Sequence, residues 1–489
     1  MILSRFTLKN IVPGTVDVPD ESIFSLPEKV LQFGTGVLLR GLPDDYIDKA
    51  NRKGIFNGRV VVVKSTSQGD TSAFEQQDNL YTLCVRGIRQ GKKVEENRIN
   101  AAVSRVLSAQ EDWEEILECA HDGGMQVIIS NTTEVGIQLV NDDIRRHPPL
   151  SFPGKLLAFL YERFQAFGGS PHSGMVIVPT ELVPDNGKKL ESIVLELAHL
   201  NSLPEEFIEW LEKHNHFCNS LVDRIVPGKP DAAQQAALEA EFGYRDKLLC
   251  MAEAYSLWAI EGDAHIRKVL SFAEANEEIA IVPDINLHRE LKLRLLNGTH
   301  TLSCGPAFLA GIDTVKQAMD DPAMSVYIQD LMMQELAVSI PFPVERSLAA
   351  AFSASVLDRF RNPHIHHLWK SITAQYSSKM KMRCIPLLLQ HYKTSNTPPP
   401  LFAFGFAAYL WFMKGEGHEV TDGQAGVFSR RWQTLRPEEV VLHTMTDKAF
   451  WETDLTLLPG FYSAVAADLQ TIMQEGAKAA LRKHTVQTI

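Results

Sequence analysis

The chain has 489 residues, of which 45% are hydrophobic and 22% are charged. This length exceeds what one ordinary hydrophobic core supports, so two domains are expected. The formal net charge of −12 argues against a nucleic-acid-binding protein, which would need a basic face. A small anionic ligand is compatible with this charge, because one local cluster of arginines is enough to hold a carboxylate.

The cysteines and the apolar segments indicate the cellular compartment of the protein. Six cysteines are scattered along the chain without a C-x-x-C pair or the spacing of a zinc site. The N-terminal sequence MILSRFTLKNIVPG lacks the long apolar region of a signal peptide, and no apolar run approaches the roughly 18 residues that span a membrane. We therefore expect a cytoplasmic protein with no bound metal and no membrane or nucleic-acid partner. The sequence leaves open whether it is a monomer or a homodimer.

The first half of the chain alternates short apolar segments with helical patterns. Residues 29–33, 59–63, 125–130 and 174–179 are rich in Val and Ile and are typical of buried strands. Helical periodicity between them, as in residues 110–120, indicates parallel strands joined by right-handed crossovers, hence a doubly wound α/β domain. Past about residue 230, apolar residues recur at intervals of three and four, which predicts a largely helical second domain.

The first predicted strand leads into the segment LQFGTGVLLRG. Gly34 and Gly36 follow a strand and precede a helical pattern, as in a dinucleotide-binding turn, where the second glycine lets a pyrophosphate approach backbone N–H groups. Leu39 stands where a full G-x-G-x-x-G motif has its third glycine, so an ordinary turn is the alternative. Arg40 could touch the phosphates or simply be solvated. The candidate cofactor contacts here are Gln32, Phe33, Gly34, Thr35, Gly36, Val37, Leu38 and Arg40.

The second predicted strand ends in Lys64, followed by Ser65 and Thr66. An NAD-preferring site commonly has Asp or Glu at this place, about 20 residues after the glycines. A lysine could accept a 2′-phosphate, so NAD and NADP both stay open as cofactors. The alternative is a solvated lysine at the end of a strand.

The third predicted strand is followed by four polar residues. Strand ends at this edge of a doubly wound sheet face the ligand crevice, so these side chains are candidates for contacts with a nicotinamide. They are also typical of a helix cap, since Thr or Asn before a carboxylate commonly begins a helix. The four residues are Asn131, Thr132, Thr133 and Glu134.

The leucine-rich segment LKLRLLNGTH contains Lys292, Asn297 and His300. If residues 289–304 form an α-helix with about 100° per residue, Asn297 lies ~140° and His300 ~80° around the helix from Lys292. Apolar neighbours would desolvate the lysine, which could then accept a proton near neutral pH. An asparagine amide could stabilise a developing alkoxide, and a histidine could orient a hydroxyl. The alternative is an amphipathic helix with a solvated lysine and a capping Asn-Gly.

The segment KLRLLNGTH resembles the K-x-x-x-x-N-x-x-H signature of the long-chain, metal-independent mannitol dehydrogenase family of polyol and sugar-acid dehydrogenases. Further segments that match the family, such as LQFGTGVLLRG, occur in the same order along nearly the whole chain. Within the family the chain is most similar to the hexuronate branch, through the segments SNTTEVGI, ERFQAFGG, VPTELVPDNG, FCNSLVDRIVPGKP, RFRNPHI and WETDLTLLPG.

The resemblance implies a domain division and a catalytic set. It implies a Rossmann-type domain over residues 1–285, with a helical insertion at about 190–275, and a helical substrate domain over residues 286–489. Catalysis would proceed without zinc in the cleft between them. Lys292 matches the family's general base, Asn297 its alkoxide-stabilising amide and His300 its substrate-orienting imidazole.

One position departs from the polyol members of the family. They carry a second asparagine after the strand near residue 179, where this chain has Leu182. Leucine cannot donate a hydrogen bond, so alkoxide stabilisation would rest more on Asn297 or on another donor. The uronate branch is similar to this chain here, which indicates a difference between branches rather than a loss of function.

Substrate choice is expected to depend on three residues. Asp223 and Arg359 match family positions near the substrate, and Arg361 stands where polyol members tend to carry a small or uncharged residue. A guanidinium suits a carboxylate, which a hexuronate has and mannitol lacks. We expect Arg361, with Arg359, to bind that carboxylate; the alternative is a surface ion pair. Three neighbouring histidines lack a carboxylate or cysteine to complete a metal site: His364, His366 and His367.

The expected activity is the NAD-linked, reversible reduction of D-tagaturonate to D-altronate in hexuronate breakdown, with Lys292 as general acid and base. The substrate would thus be a small hexuronate or aldonate. Alternatives are the reduction of D-fructuronate to D-mannonate and a polyol 2-dehydrogenase of the mannitol type. A different class of alternative is a catalytically silent nucleotide-binding protein, against which the complete set of Lys292, Asn297 and His300 speaks.

Overall fold

The structure is a computed structural model that describes residues 1–66, 69–132 and 136–485. The chain forms two compact units, the first comprising Met1–Arg86 and Val94–Ile285, and the second Gly87–Lys93 and Asn286–Ile489. All six cysteines are buried and unpaired. Within the described ranges, no helix combines the length and the apolar character needed to cross a bilayer.

The strands and the earlier helices belong to the sequence up to residue 285. Short 3₁₀ helices lie at Leu8–Asn10, Glu21–Ser25, Cys119–His121, Pro171–Ser173 and Ser271–Ala275. The strands and α-helices, in chain order, are β1 (Glu28–Phe33), α1 (Val37–Arg40), α2 (Pro43–Arg52), β2 (Arg59–Lys64), α3 (Ser72–Gln76), β3 (Tyr81–Arg89), β4 (Lys92–Asn100), β5 (Val103–Ser108), α4 (Trp113–Glu118), β6 (Val127–Ser130), α5 (Phe152–Phe167), β7 (Val176–Pro179), α6 (Asn186–Leu200), α7 (Glu205–His214), β8 (His216–Phe217), β9 (Ser220–Asp223), α8 (Ala232–Phe242), β10 (Cys250–Glu253), β11 (Leu257–Glu261), α9 (Ala264–Val269) and β12 (Ile279–Val282).

A parallel six-stranded sheet in the order β5-β2-β1-β6-β7-β8 organises the first unit. The four predicted strands are its β1, β2, β6 and β7, so the predicted doubly wound α/β fold is confirmed. Strands β2 and β5 lie on one side of β1, and strands β6, β7 and β8 lie on its other side. The carboxyl ends of β1 and β6 therefore flank the switch point, where doubly wound sheets bind their ligands.

Both faces of this sheet are buried, which explains the near-continuous apolar runs of its strands. In β2, Val60 and Val62 pack into one hydrophobic cluster, and Val61 and Val63 pack into another. This division follows from the two-residue period of a strand, which sends successive side chains to opposite faces.

Two three-stranded sheets have the orders β10-β3-β4 and β12-β11-β9, and both lie in the first unit except for Gly87–Lys93, the residues where β3 ends and β4 begins. Residues 190–275, for which a helical insertion was expected, hold strands β8 to β11 as well as helices. These strands were missed because they are short and buried, as Trp258 in β11 shows: it is fully buried and stacks on both Tyr46 and Phe272. Such short buried strands lack the long periodic pattern that distinguishes them from adjacent helices.

The second unit is helical, as predicted. A 3₁₀ helix lies at Leu455–Leu457. The α-helices and three π-helical segments, in chain order, are α10 (Asn286–Leu291), π1 (Lys292–Gly298), α11 (Thr299–Leu309), α12 (Val315–Asp320), α13 (Pro322–Asp330), π2 (Leu331–Leu336), α14 (Arg346–Phe360), α15 (Trp369–Ile372), α16 (Tyr376–Lys379), π3 (Met380–Cys384), α17 (Ile385–His391), α18 (Pro400–Phe412), α19 (Ala425–Thr434), α20 (Pro437–Met445), α21 (Lys448–Trp451), α22 (Phe461–Glu475) and α23 (Ala477–Thr485). Helix α18 is apolar on all sides and lies in the unit's core.

The helix that carries LKLRLLNGTH is not a uniform α-helix. The prediction of α-helix over residues 289–304 is wrong for Lys292–Gly298, which form π1 between α10 and α11. In a π-helix the backbone bonds join residues five apart, so Lys292 and Asn297 lie one turn apart on the same face. A uniform α-helix would separate them by ~140° around the axis. The π-helical turn thus aligns these two side chains better than the predicted helix would.

Candidate active site

The chain turns sharply at the carboxyl end of β1. The Gly34 N–H donates to the carbonyl of Val63 at 2.9 Å, and Gly34 has a φ of +130°, which L-residues rarely adopt. A Cβ at Gly34 would lie 2.9 Å from Leu39 Cδ1 and 3.0 Å from the carbonyl oxygen of Asn131. A Cβ at Gly36 would meet nothing within 4 Å. Gly34 therefore allows the β1 and β6 ends to approach, and Gly36 leaves open space beside the turn.

The predicted cofactor contacts differ in exposure. Thr35, Val37 and Leu38 are half-buried and Gly36 is exposed, whereas Phe33 is buried against the Phe152 ring at 5.2 Å between centroids. Side chains on the turn itself are thus accessible to a ligand. Phe33 belongs to the core beneath it.

Two predicted cofactor contacts have protein partners. Arg40 Nη1 donates to the carbonyl oxygen of Leu248 at 2.6 Å, which ties α1 to the segment before β10. Gln32 is buried, and its side-chain nitrogen lies 3.4 Å from Asp44 Oδ2. Gln32 Oε1 and Asp44 Oδ1 are both buried without a hydrogen-bond partner among the described residues. Burial raises the pKa of Asp44 to about 7, against the hydrogen bond from Gln32, which lowers it.

Lys64 ends β2, where its backbone pairs with Ser108 of β5, and its side chain is half-buried. Hydrogen bonds from Ser72 lower the pKa of the exposed Asp70 carboxyl, and the charge of Lys64 lowers it further. Lys64 is therefore close enough to Asp70 for their charges to interact. Next to Lys64, the Ser65 hydroxyl is buried without a partner in the described part of the chain.

The polar residues after β6 are hydrogen-bonded to the residues that follow β7. Asn131 Nδ2 donates to the carbonyl and the hydroxyl oxygen of Thr180, at 3.1 and 3.0 Å. The Thr132 N–H and hydroxyl both donate to Glu181 Oε1, at 2.9 and 3.0 Å, and Ser130 donates to Oε2. Burial raises the pKa of this Glu181 carboxyl. The predicted contacts Thr133 and Glu134 lie outside the described residues.

Sequence reasoning missed Glu181, whose only signal was a carboxylate two residues after the end of a strand. Its neighbour Leu182, the position that departs from the polyol members, is 64% exposed. Leu182 thus contributes neither a hydrogen bond nor core packing.

Lys292, Asn297 and His300 lie along one continuous helix of the second unit. Leu295 and Leu296 pack into the hydrophobic core, while Lys292 and Asn297 are half-buried. The Thr301 hydroxyl donates to the Asn297 carbonyl at 2.8 Å. The side-chain amide of Asn297 makes no hydrogen bond to any residue that the structure describes, which leaves it available to a ligand.

His300 lies in an aromatic setting. Its imidazole stacks on Phe360, and the rings of His367 and Trp369 approach it nearly perpendicularly. Its Nε2 atom is buried and has no hydrogen-bond partner within the described ranges. Burial lowers the pKa of His300 well below its usual 6.5, and the positive groups His367, Arg359, Arg383 and Lys379 add to this effect. The imidazole is therefore neutral at neutral pH.

Two cations near His300 were missed from the sequence. Arg383 Nη1 donates to the Thr301 hydroxyl at 3.3 Å, and Lys379 Nζ donates to the Ile372 carbonyl at 2.9 Å. Burial lowers the pKa of each of these two side chains. Both cations lie in the segment SSKMKMR, which was not identified as part of a site because the π-helical segment π3 was not predicted.

The predicted substrate contacts belong to both units. Asp223 is buried at the end of β9 in the first unit, paired with Leu257. Arg359 is buried near the end of α14. Arg361 directly follows α14, its side chain is 40% exposed, and its Nη1 lies 3.8 Å from Asp358 Oδ1. Among the described residues, His364, His366 and His367 do not join a group of three or more potential metal ligands.

Comparisons with known proteins identify the family of the chain. The family model of the mannitol dehydrogenase Rossmann domain matches residues 28–272, and that of the mannitol dehydrogenase C-terminal domain matches residues 284–473. The altronate oxidoreductase of Klebsiella pneumoniae is 37% identical over 93% of this chain and 96% of its own length. That of Bacillus subtilis is 38% identical over 94% and 96%, respectively.

Two solved structures share the fold at low sequence identity. A Pseudomonas fluorescens mannitol 2-dehydrogenase, in a ternary complex with NAD and D-mannitol, gives a TM-score of 0.69 at 20% identity, with both chains fully covered. A substrate-free D-sorbitol dehydrogenase gives 0.77 at 22% identity, covering 98% of this chain and all of that one. With both family models matched in order over nearly the whole chain, the chain belongs to the mannitol dehydrogenase family of oxidoreductases that act on CH–OH groups.

Proposed function

We propose that the chain is an NAD-linked tagaturonate reductase (altronate oxidoreductase) that converts D-tagaturonate reversibly to D-altronate in hexuronate breakdown. The observation that carries the proposal is the set of Lys292, Asn297 and His300 on one π/α helix, with the cations Lys379 and Arg383 near His300. The identity of 37–38% to two altronate oxidoreductases, over nearly their whole length, supports the same substrate class.

The first unit fits a dinucleotide. The glycine turn lies at the switch point of a parallel sheet, and the open side of Gly36 admits a pyrophosphate to the backbone. Thr35, Val37 and Leu38 are the accessible contacts on the turn, and Lys64 is the residue that would meet the adenosine ribose. A bound NADH would supply the hydride to the substrate's carbonyl carbon. Lys64 is also the residue that would admit NADPH.

The second unit supplies the proton chemistry. As an ammonium ion, Lys292 donates a proton to the carbonyl oxygen, which becomes the hydroxyl of the product. In the oxidising direction, neutral Lys292 takes that proton back. The Asn297 amide donates a hydrogen bond to the same oxygen as negative charge develops on it. The neutral imidazole of His300 orients a neighbouring substrate hydroxyl through Nε2.

Asp223, Arg359 and Arg361 are the proposed substrate contacts. Arg359 is buried and its charge reaches His300, which favours it for a contact close to the reacting centre. Arg361 is more exposed, and its Nη1 lies 3.8 Å from Asp358 Oδ1, so an acid already compensates part of its charge.

A substrate panel tests the proposed function. NADH and NADPH oxidation are followed separately with D-tagaturonate, D-fructuronate and D-fructose, and kcat/KM is compared. The expected result is the highest kcat/KM for NADH with D-tagaturonate. A preference for fructuronate or fructose would assign the chain to another branch, and NADH binding without turnover would indicate a silent nucleotide-binding protein.

A further inference from the structure

Lys379 and Arg383 are two cations without a counter-ion among the residues that the structure describes. Their side chains donate to the neutral oxygens of Ile372 and Thr301, and no carboxylate in the described ranges lies within ion-pair distance of either. The charge of Asp422 acts on Lys379, but its carboxylate already accepts hydrogen bonds from the backbone N–H groups of Ser377 and Gln424. The charge of Arg383 therefore acts on Lys379 with little compensation from acids in the described part of the chain.

Both side chains are held close to the proposed catalytic helix. Arg383 donates to the Thr301 hydroxyl, which itself donates to the Asn297 carbonyl, so one hydroxyl group links the guanidinium to the asparagine. Lys379 is the last residue of α16, four positions before Arg383 across π3. Burial lowers the pKa of Lys379, and the charge of Arg383 lowers it further. A half-buried pair of like charges is costly unless an anion joins it.

We propose that Arg383 and Lys379 bind the carboxylate of the substrate and thereby distinguish a hexuronate from a neutral ketose. This inference rests on the proposed function. In tagaturonate the reacting carbonyl group is next to a terminal hydroxymethyl group, and the carboxylate is at the other end of the carbon chain. Fructose has a second hydroxymethyl group in place of this carboxylate. Arg383 uses Nη1 for Thr301, so Nε and Nη2 are left to form a bidentate pair with a carboxylate, and Lys379 adds a second cation.

This assignment differs from the one based on the sequence. Arg361 was the expected carboxylate ligand, but its side chain is 40% exposed and Asp358 lies 3.8 Å away. Arg383 is half-buried beside residues that adjoin the proposed catalytic groups. A carboxylate gains more from a partly desolvated, uncompensated cation than from one that solvent and a neighbouring acid already screen.

Kinetics on a charged and a neutral substrate test the inference. Arg383→Ala, Arg383→Lys and Lys379→Met are assayed with D-tagaturonate and D-fructose at saturating NADH, beside the exposed control Arg430→Ala. Arg383→Ala is expected to raise the KM for tagaturonate roughly 10- to 100-fold, because a charge-assisted hydrogen bond is lost. The kcat/KM for fructose should change by less than about threefold, and Arg383→Lys should retain part of the tagaturonate activity.

A binding measurement supplies a readout without turnover. The dissociation constants of D-altronate and of the neutral polyol D-altritol are measured calorimetrically on the NAD⁺ complex of each variant. The wild-type chain should prefer altronate, and Arg383→Ala should remove most of that preference. A wild type without this preference, or an Arg383→Ala variant that keeps it, would overturn the inference.

The remaining outcomes separate the two proposals. If the wild type reduces no hexuronate, the proposed function fails, while an altronate preference that depends on Arg383 would still support a carboxylate site. If tagaturonate and fructose lose activity equally in Arg383→Ala, Arg383 only supports Thr301 and the inference alone fails. A selective loss in Arg361→Ala, with Arg383→Ala unaffected, would overturn it as well. If thermal unfolding shows that Arg383→Ala does not fold, Arg383→Lys and Lys379→Met carry the same criterion.

Discussion

The imidazole of His300 stacks on the phenyl ring of Phe360, with centroids 4.4 Å apart and planes inclined by 18°. This contact replaces water on one face of the imidazole. The neutral form is therefore stabilised relative to the charged form, and a neutral His300 can both donate and accept a hydrogen bond.

Stability at acidic pH should reflect this lowered pKa. Below its usual pKa of 6.5, His300 takes up a proton in the unfolded chain but not in the native one, so stability falls as the pH decreases from that value. We expect His300→Phe, which retains an aromatic ring against Phe360, to show a flatter dependence of the unfolding free energy between about pH 5 and 6.5. Chemical denaturation at several pH values measures it. The exposed His443→Phe should leave the dependence unchanged, and equal slopes in His300→Phe and wild type would contradict the prediction.

Removing the amine of Lys292 should abolish most of the activity. We expect Lys292→Met to lower kcat by roughly 10²- to 10⁴-fold, the usual contribution of a positioned acid or base, without a large change in NADH affinity. Steady-state kinetics and NADH fluorescence titration measure the two effects. Added methylamine should restore part of the rate, and the exposed Lys448→Met serves as the matched control. Activity within tenfold of wild type would remove Lys292 from the mechanism.

The two glycines of the turn should fail in different ways. Gly34→Ala forces an L-residue to a φ of +130° and places a methyl group 2.9 Å from Leu39, so we expect a loss of about 1–3 kcal/mol in the free energy of unfolding. Gly36→Ala meets no protein atom within 4 Å and should leave stability within about 0.5 kcal/mol of wild type. It should nevertheless weaken NADH binding, because the methyl group occupies the open side of the turn. Unchanged NADH affinity in Gly36→Ala would argue against a pyrophosphate at this position.

Asp44 should make the fold less stable as the pH rises. Its pKa is raised to about 7 by burial, so between its ordinary pKa of 3.8 and about 7 the native chain holds a proton that the unfolded chain has released. Stability therefore decreases through this window, and above it the buried carboxylate is fully charged. We expect Asp44→Asn to be more stable than wild type at pH 8, with the difference shrinking toward pH 4, as measured by denaturation in urea.

The adjacent Asp45 provides the matched control for Asp44. It is also buried, which by itself would raise its pKa, but Lys49, Arg224 and Arg98 outweigh burial and hold the pKa below its usual range. Asp45→Asn breaks these ion pairs and should destabilise the chain at pH 8. The same direction of change in both variants would contradict the assignment of Asp44 as a largely protonated acid below about pH 7.

The sequence predicted those features that depend on local patterns. The valine run of β2 and the strand before Gly34 identified the parallel sheet, because buried parallel strands are continuously apolar. Gly34 was predicted to permit a turn, and the structure adds its contacts with Leu39 and Asn131.

Features that depend on distant partners were not predictable in the same way. Arg40 has its hydrogen-bond partner at Leu248, more than 200 residues away, and no local pattern indicates it. Glu181 accepts a hydrogen bond from the Thr132 N–H, which follows a different strand, β6. Arg383 could not be placed near His300 because helical periodicity assumes an α-helix, and the π-helical turns shift the faces of the helices that carry them.

The π-helical turn at Lys292–Gly298 makes the alignment of the proposed site sensitive to chain length. A π-helical turn holds one residue more than an α-helical one, so an α-helix of unchanged length would separate Lys292 from Asn297 by ~140°. Deleting Leu293 would favour an α-helix in which Lys292 lies four residues from Asn297 and seven from His300, and all three side chains would still share a face, about 40° and 20° apart. Inserting a residue beside Leu293 would instead lengthen both spacings by one residue. The proposed alignment should therefore tolerate the loss of one residue in this turn better than the gain of one.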